Sequence, residues 1–167
     1  MMSARSTPLD WPETNVVFFA FLLHLPWELF QLPLFRIGVE LSAYATILHC
    51  AQAALGDVLI ALAAFWGTAL ALRSRFWVLD ISIGALVLYL GIGLLVTIVF
   101  ELLATGPLAL WQYAPSMPRE PLLGIGLSPL LQWVFLPLLL LGIVRRQLRG
   151  AVTRRQFRTF DPSRRGS

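Results

Sequence analysis

Four long apolar runs dominate this chain, at about residues 15–35, 45–72, 77–103 and 127–144. A helix rises about 1.5 Å per residue, so about 20 residues cross a hydrocarbon layer about 30 Å thick. The first three runs exceed that length and the fourth barely reaches it. The chain is 57% hydrophobic and 13% charged over 167 residues. A soluble domain of this size has too little interior to hide that much apolar surface. In lipid, helices satisfy their own backbone groups. The expected fold is all-α: a polytopic membrane protein with a four-transmembrane-helix bundle over residues 1–144 and an arginine-rich tail over 145–167.

Basic residues orient such a chain. All 13 are arginine. Arg5, Arg73 and Arg75 fall on one side of the expected spans, together with the eight from Arg145 to Arg165. Only Arg36 and Arg119 fall on the other, each beside an acid, Glu40 and Glu120. Both termini are expected in the cytoplasm and the protein in a bacterial-type inner membrane. Cleavage of the first run as a signal peptide is not expected. It is too long for an h-region and follows Asp10 and Glu13 rather than a basic excess. The tail suits anionic lipid heads, and nothing in it resembles a folded nucleic-acid reader. Membrane lipids are therefore the expected partners, and no nucleic acid. With Cys50 as the single cysteine, no intramolecular disulfide can form.

Polar groups inside apolar spans cost free energy, so their positions are informative. His24, Glu28 and Gln31 step by four and three, which puts them on one helix face. Pro26 and Pro33 are expected to bend that helix or open its hydrogen-bond ladder. In the second run Cys50, Ala54, Asp57, Ala61, Ala64, Thr68 and Ala71 form a stripe of small residues, as tight helix packing in lipid requires. A neighbouring stripe begins at His49. In the third run the same spacing joins Asp80, Gly84, Val87, Gly91, Leu94, Ile98 and Glu101; in the fourth, Ser128, Gln132, Phe135, Leu139 and Gly142. Counting from the span ends places Glu28, His49, Glu101 and Gln132 in the outer half, with Asp57 near the middle.

Above them lies the loop 104–126, rich in proline and carrying Trp111 and Tyr113. It is too apolar for an ordinary solvated loop. It is expected to form an interfacial lid or a shallow re-entrant segment. Carboxyls in an apolar setting can donate and accept protons near neutrality, without a cofactor. Glu28, Glu101 and Asp57 are the candidate catalytic acids. His24, Gln31, His49, Trp111, Tyr113 and Gln132 are the candidate substrate-binding residues, with Trp27 and Trp133 able to line an apolar pocket. His24 and Glu28, with His49 and Glu101, raise a metal alternative. No metal site is assigned, because H-E-x-x-H and clustered histidines are lacking.

The segments WELFQLPLF, ALGDVLI, ELLATGPLALWQYAPSMP and GIGLSPLLQWVFLP resemble a group of small bacterial inner-membrane proteins. That resemblance implies a four-helix membrane fold and no activity. More distantly, Glu101 followed by Trp111-Gln112-Tyr113 and a proline-rich turn is similar to the integral-membrane carotenoid cyclases and hydratases. This likeness implies acids in helices beside an aromatic loop, acting on an isoprenoid. The chain has fewer spans and fewer acidic motifs than those enzymes. The leading expectation is an outward-facing intramembrane site for a lipid or isoprenoid, with carboxyl acid–base chemistry as its use. A structural or assembly subunit, binding a membrane-protein partner or a second copy through its small-residue faces, is one alternative. A small proton or ion transporter is the other.

Overall fold

Each helix starts where the chain supplies a cap or a proline. The computed structural model describes residues 10–36 and 42–159, with side chains as far as Ala151 and at Thr153. The first helix, α1 (Pro12–Gln31), opens on Pro12, whose missing N–H would have no partner in a first turn anyway. In α2 (Ala43–Leu72) the Ser42 hydroxyl accepts from the Ala45 N–H at 3.2 Å. In α3 (Ile83–Thr105) Ser82 accepts from Ala85 at 3.1 Å. The fourth, α4 (Leu127–Thr159), begins where the Leu127 N–H donates to the Pro118 carbonyl at 2.8 Å.

The protein is mostly helical, and these four helices are long and apolar enough to cross a membrane. Helix α1 packs on α2 and α4, and α3 packs on the same two, giving a square up-down-up-down bundle. Pro26 lies within α1 without ending it, and Pro33 sits in a 3₁₀ turn, Leu32–Leu34, that finishes the helix. Two boundaries differ from expectation. Residues 77–82 do not begin the third span, because Trp77–Leu79 forms a separate 3₁₀ turn and Ser82 caps the helix after it. The fourth helix runs past 144, so the arginine-rich tail starts out helical.

Arginines assigned to orientation also bind the fold. Arg75 pairs with Glu13 at 2.7 Å, tying the α2–α3 connection to the start of α1. Arg145 and Arg149 donate to the Leu79 carbonyl at 3.2 and 2.9 Å. Arg5, Glu40, Arg164 and Arg165 lie outside the described residues, as do the side chains of Arg154, Arg155 and Arg158.

The small stripe of α2 is buried at Cys50, Ala54, Ala61, Ala64 and Thr68, whereas Ala71 is exposed in the last turn. The expected stripes of α3 and α4 hold only in part. Helix α3 buries Ala85, Tyr89, Gly93, Thr97 and Glu101, while Gly84, Val87 and Gly91 face outward. Helix α4 buries Gln132, Trp133, Leu136, Leu140 and Val144, and exposes Phe135, Leu139 and Gly142. Large side chains, Trp133, Tyr89 and Phe65, are fully buried in the bundle, so small residues do not meet on every side. Gly93 makes room for Trp133, since a Cβ there would lie 2.5 Å from Trp133 Cε3. Gly93→Ala should therefore destabilise the bundle by about 1–3 kcal/mol through overpacking. Unfolding in detergent checks this, and an unchanged midpoint would contradict the close approach.

Candidate functional site

The face of α1 that carries His24, Glu28 and Gln31 turns into the bundle. There it meets Gln132 and Ser128 of α4 and Asp57 of α2. Gln132 Nε2 lies 2.8 Å from His24 Nδ1, 3.0 Å from Glu28 Oε1 and 2.8 Å from Asp57 Oδ2. His24 Nδ1 is itself 3.1 Å from Asp57 Oδ2. Gln31 donates to Glu28 Oε1 at 2.7 Å and to Gln132 Oε1 at 3.4 Å, and accepts from the Ser128 hydroxyl at 2.9 Å. His24 and Gln132 are 1% and 2% exposed.

Counting hydrogens constrains this network. A glutamine amide nitrogen carries two, yet three acceptor-type atoms surround Gln132 Nε2. With a hydrogen on His24 Nδ1 donated to Asp57, Gln132 donates to Glu28 and Asp57, and its 2.8 Å approach to Nδ1 is a contact between two donors; with Nδ1 bare, Nδ1 accepts from Gln132 and the amide is left one hydrogen for the two carboxyls. Among the described residues the cluster's ion pairing is limited to His24 and Asp57, with no arginine in it.

A second cluster caps one end of the bundle. The strands β1 (Phe35–Arg36) and β2 (Gln112–Tyr113) pair antiparallel, with Phe35 opposite Tyr113 and Arg36 opposite Gln112. This ribbon folds the loop 104–126 over the bundle end and buries Tyr113, Met117 and Ile125 beneath it. The Tyr113 hydroxyl donates to Glu101 Oε2, and Trp111 Nε1 approaches the same oxygen at 3.4 Å. Burial, and then the Glu101 carboxylate accepting its proton, hold the Tyr113 phenol above its ordinary range, so it stays a donor at neutral pH.

The structure thus joins His24, Glu28, Gln31, Asp57 and Gln132 in one network, and Glu101, Trp111 and Tyr113 in another. Asp57 was expected below Glu28 but shares an amide with it. His49 was expected in the same layer but is exposed, outside both clusters. His49 lies one residue off the Cys50–Ala54–Asp57 face, about 100° round the helix, so the face that α2 turns to the cluster does not carry it. The first turns of α2, which carry His49, are largely exposed. Trp133 is buried against Gly93, its ring 5.4 Å from that of His24. Ser128 was legible only as a helix-face residue, and its bond to Gln31 depends on the α1–α4 pairing.

Fold and site together define a class: a helical bundle of membrane-spanning length whose interior holds acids, amides and one imidazole. No protein-family model, no curated protein and no solved structure matches the chain. Among the described residues, no three His, Cys, Asp or Glu side chains are grouped as metal ligands.

Proposed function

We propose that this is a multi-pass membrane protein that binds a lipid or isoprenoid and performs carboxyl acid–base chemistry on it. The observation that carries this reading is the single Gln132 amide shared by Glu28, Asp57 and His24. Two carboxyls and an imidazole in mutual reach can pass a proton between them and to a bound molecule. In this reading Glu28 and Asp57 exchange the proton, His24 relays it, and Gln132 with Gln31 positions the acids. The bundle's outward faces expose Phe30, Leu59, Leu70 and Ile83, which suits a protein whose substrate arrives from lipid. Arg73, Arg75, Arg145, Arg146 and Arg149 lie at the end where the described chain begins, favouring a cytoplasmic placement of both termini in an inner membrane. The likeness of the Glu101–Tyr113 region to carotenoid cyclases favours an isoprenoid.

Purification in mild detergent, with mass spectrometry and absorbance of what is carried along, tests the reading. A specific apolar ligand should be present, and Glu28→Gln should slow its conversion by about 100-fold or more. A clean preparation with no specific ligand, or unchanged conversion in Glu28→Gln, overturns it. A second reading is a proton relay, favoured because Glu28, Asp57 and His24 adjoin one amide inside the bundle. It differs in predicting proton flux in liposomes that disappears in Asp57→Asn.

A further inference from the structure

At the ribbon end of the bundle, a hollow of about 390 Å³ is lined by Arg36, Thr105, Gln112, Tyr113, Pro115 and Arg119. Among the described residues, no carboxylate lines it. Arg36 comes from β1 and Arg119 from the loop after β2, so two separate segments bring the guanidiniums to one place. These are the two arginines set apart from the basic end of the chain. Neither forms an ion pair among the described residues. Arg119 lies 5.0 Å from the centre of the Tyr113 ring. Its sequence neighbour Glu120 does not neutralise it. That carboxylate accepts the backbone N–H groups of Leu122, at 3.0 Å, and Leu123. Two guanidiniums at one hollow, with no carboxylate on either among the described residues, form a site for an anion. A guanidinium fork fits phosphate bidentately, and the volume suits a small ligand.

We infer that this hollow binds a phosphate monoester, held by Arg36 and Arg119 with Gln112 as a further donor. Its floor, Tyr113, is hydrogen-bonded to Glu101, so a phosphate here lies above the polar interior of the bundle. The inference rests on the proposed function only for where the apolar tail of a lipid phosphate would go. The phosphate site itself stands on the two arginines and the hollow.

Calorimetric titration of the detergent-solubilised full chain tests it. The probes are dihexanoyl phosphatidic acid, dihexanoyl phosphatidylcholine and inorganic phosphate. Phosphatidic acid should bind saturably and phosphatidylcholine should not. Arg36→Gln and Arg119→Gln should each weaken binding about tenfold or more, with Arg119→Lys between them and wild type because it keeps the charge and loses the fork. Inorganic phosphate binding as tightly as the lipid identifies the phosphate alone as the ligand; a clear preference for the lipid identifies a headgroup. Glu28→Gln should leave the titration unchanged, which separates failure of this site from failure of the interior cluster. Absence of saturable binding by either phosphate compound to wild type overturns the inference, as does binding unaltered in both Arg→Gln variants.

Discussion

Gln132→Leu should destabilise the bundle by about 2–4 kcal/mol, although leucine has a similar size and suits the interior better on its own. The loss comes from what is left behind. Glu28 Oε1 and Asp57 Oδ2 each lose an N–H donor, and Gln31 loses an acceptor. Interhelical hydrogen bonds in membrane bundles average about 0.6 kcal/mol, so lost bonding alone predicts the low end. Buried carboxyls left with one donor fewer, Glu28 keeping only Gln31 and Asp57 only His24, push it to the high end. A double-mutant cycle separates the two. If stranding dominates, adding Asp57→Leu to Gln132→Leu should restore part of the stability, since both sides of the broken contact are then apolar. Strictly additive costs in a detergent unfolding titration would show that the shared amide does not couple these helices.

Trp133→Ala should cost more, about 3–5 kcal/mol, because a fully buried ring leaves a cavity that the helices only partly close. The ring lies against Gly93 and beside His24, so the cavity would open between α1, α3 and α4. The same geometry predicts a change of sign. Gly93→Ala is harmful in the native protein, where its Cβ meets the ring. In Trp133→Ala the added methyl enters empty space and should be neutral or stabilising. Thermal unfolding of the four proteins reads this directly. Harm from Gly93→Ala in both backgrounds would mean the glycine serves its own helix rather than the tryptophan.

These predictions involve residues that differed in how far they could be read beforehand. The shared face of His24, Glu28 and Gln31 follows from their spacing, and the structure uses it. The buried small residues of α2 also follow from spacing. In α3 the glycines misled. Gly84 and Gly91 lie in the expected stripe but face outward, while Gly93, one row over, faces Trp133. A glycine is equally at home on an outward face and against a neighbour, so its position alone does not identify the packed side. In α4 the preference for small interior residues overlooked that one large ring can fill the space a glycine leaves. Arg36 and Arg119 each have an acid nearby in sequence, Glu40 and Glu120. Glu120 instead caps its own turn, and a separate strand and loop carry the two arginines to one hollow.

What the sequence alone determined was local: four apolar segments of spanning length, and the face that His24, Glu28 and Gln31 share. Hydropathy and residue spacing are properties of neighbours along the chain. What the tertiary structure decided was which acids meet. Glu28 and Asp57 share Gln132, and His49 does not, because of how α1, α2 and α4 are set against one another. A slide of one helical turn, about 5.4 Å, would separate the three groups without changing any residue's own helix.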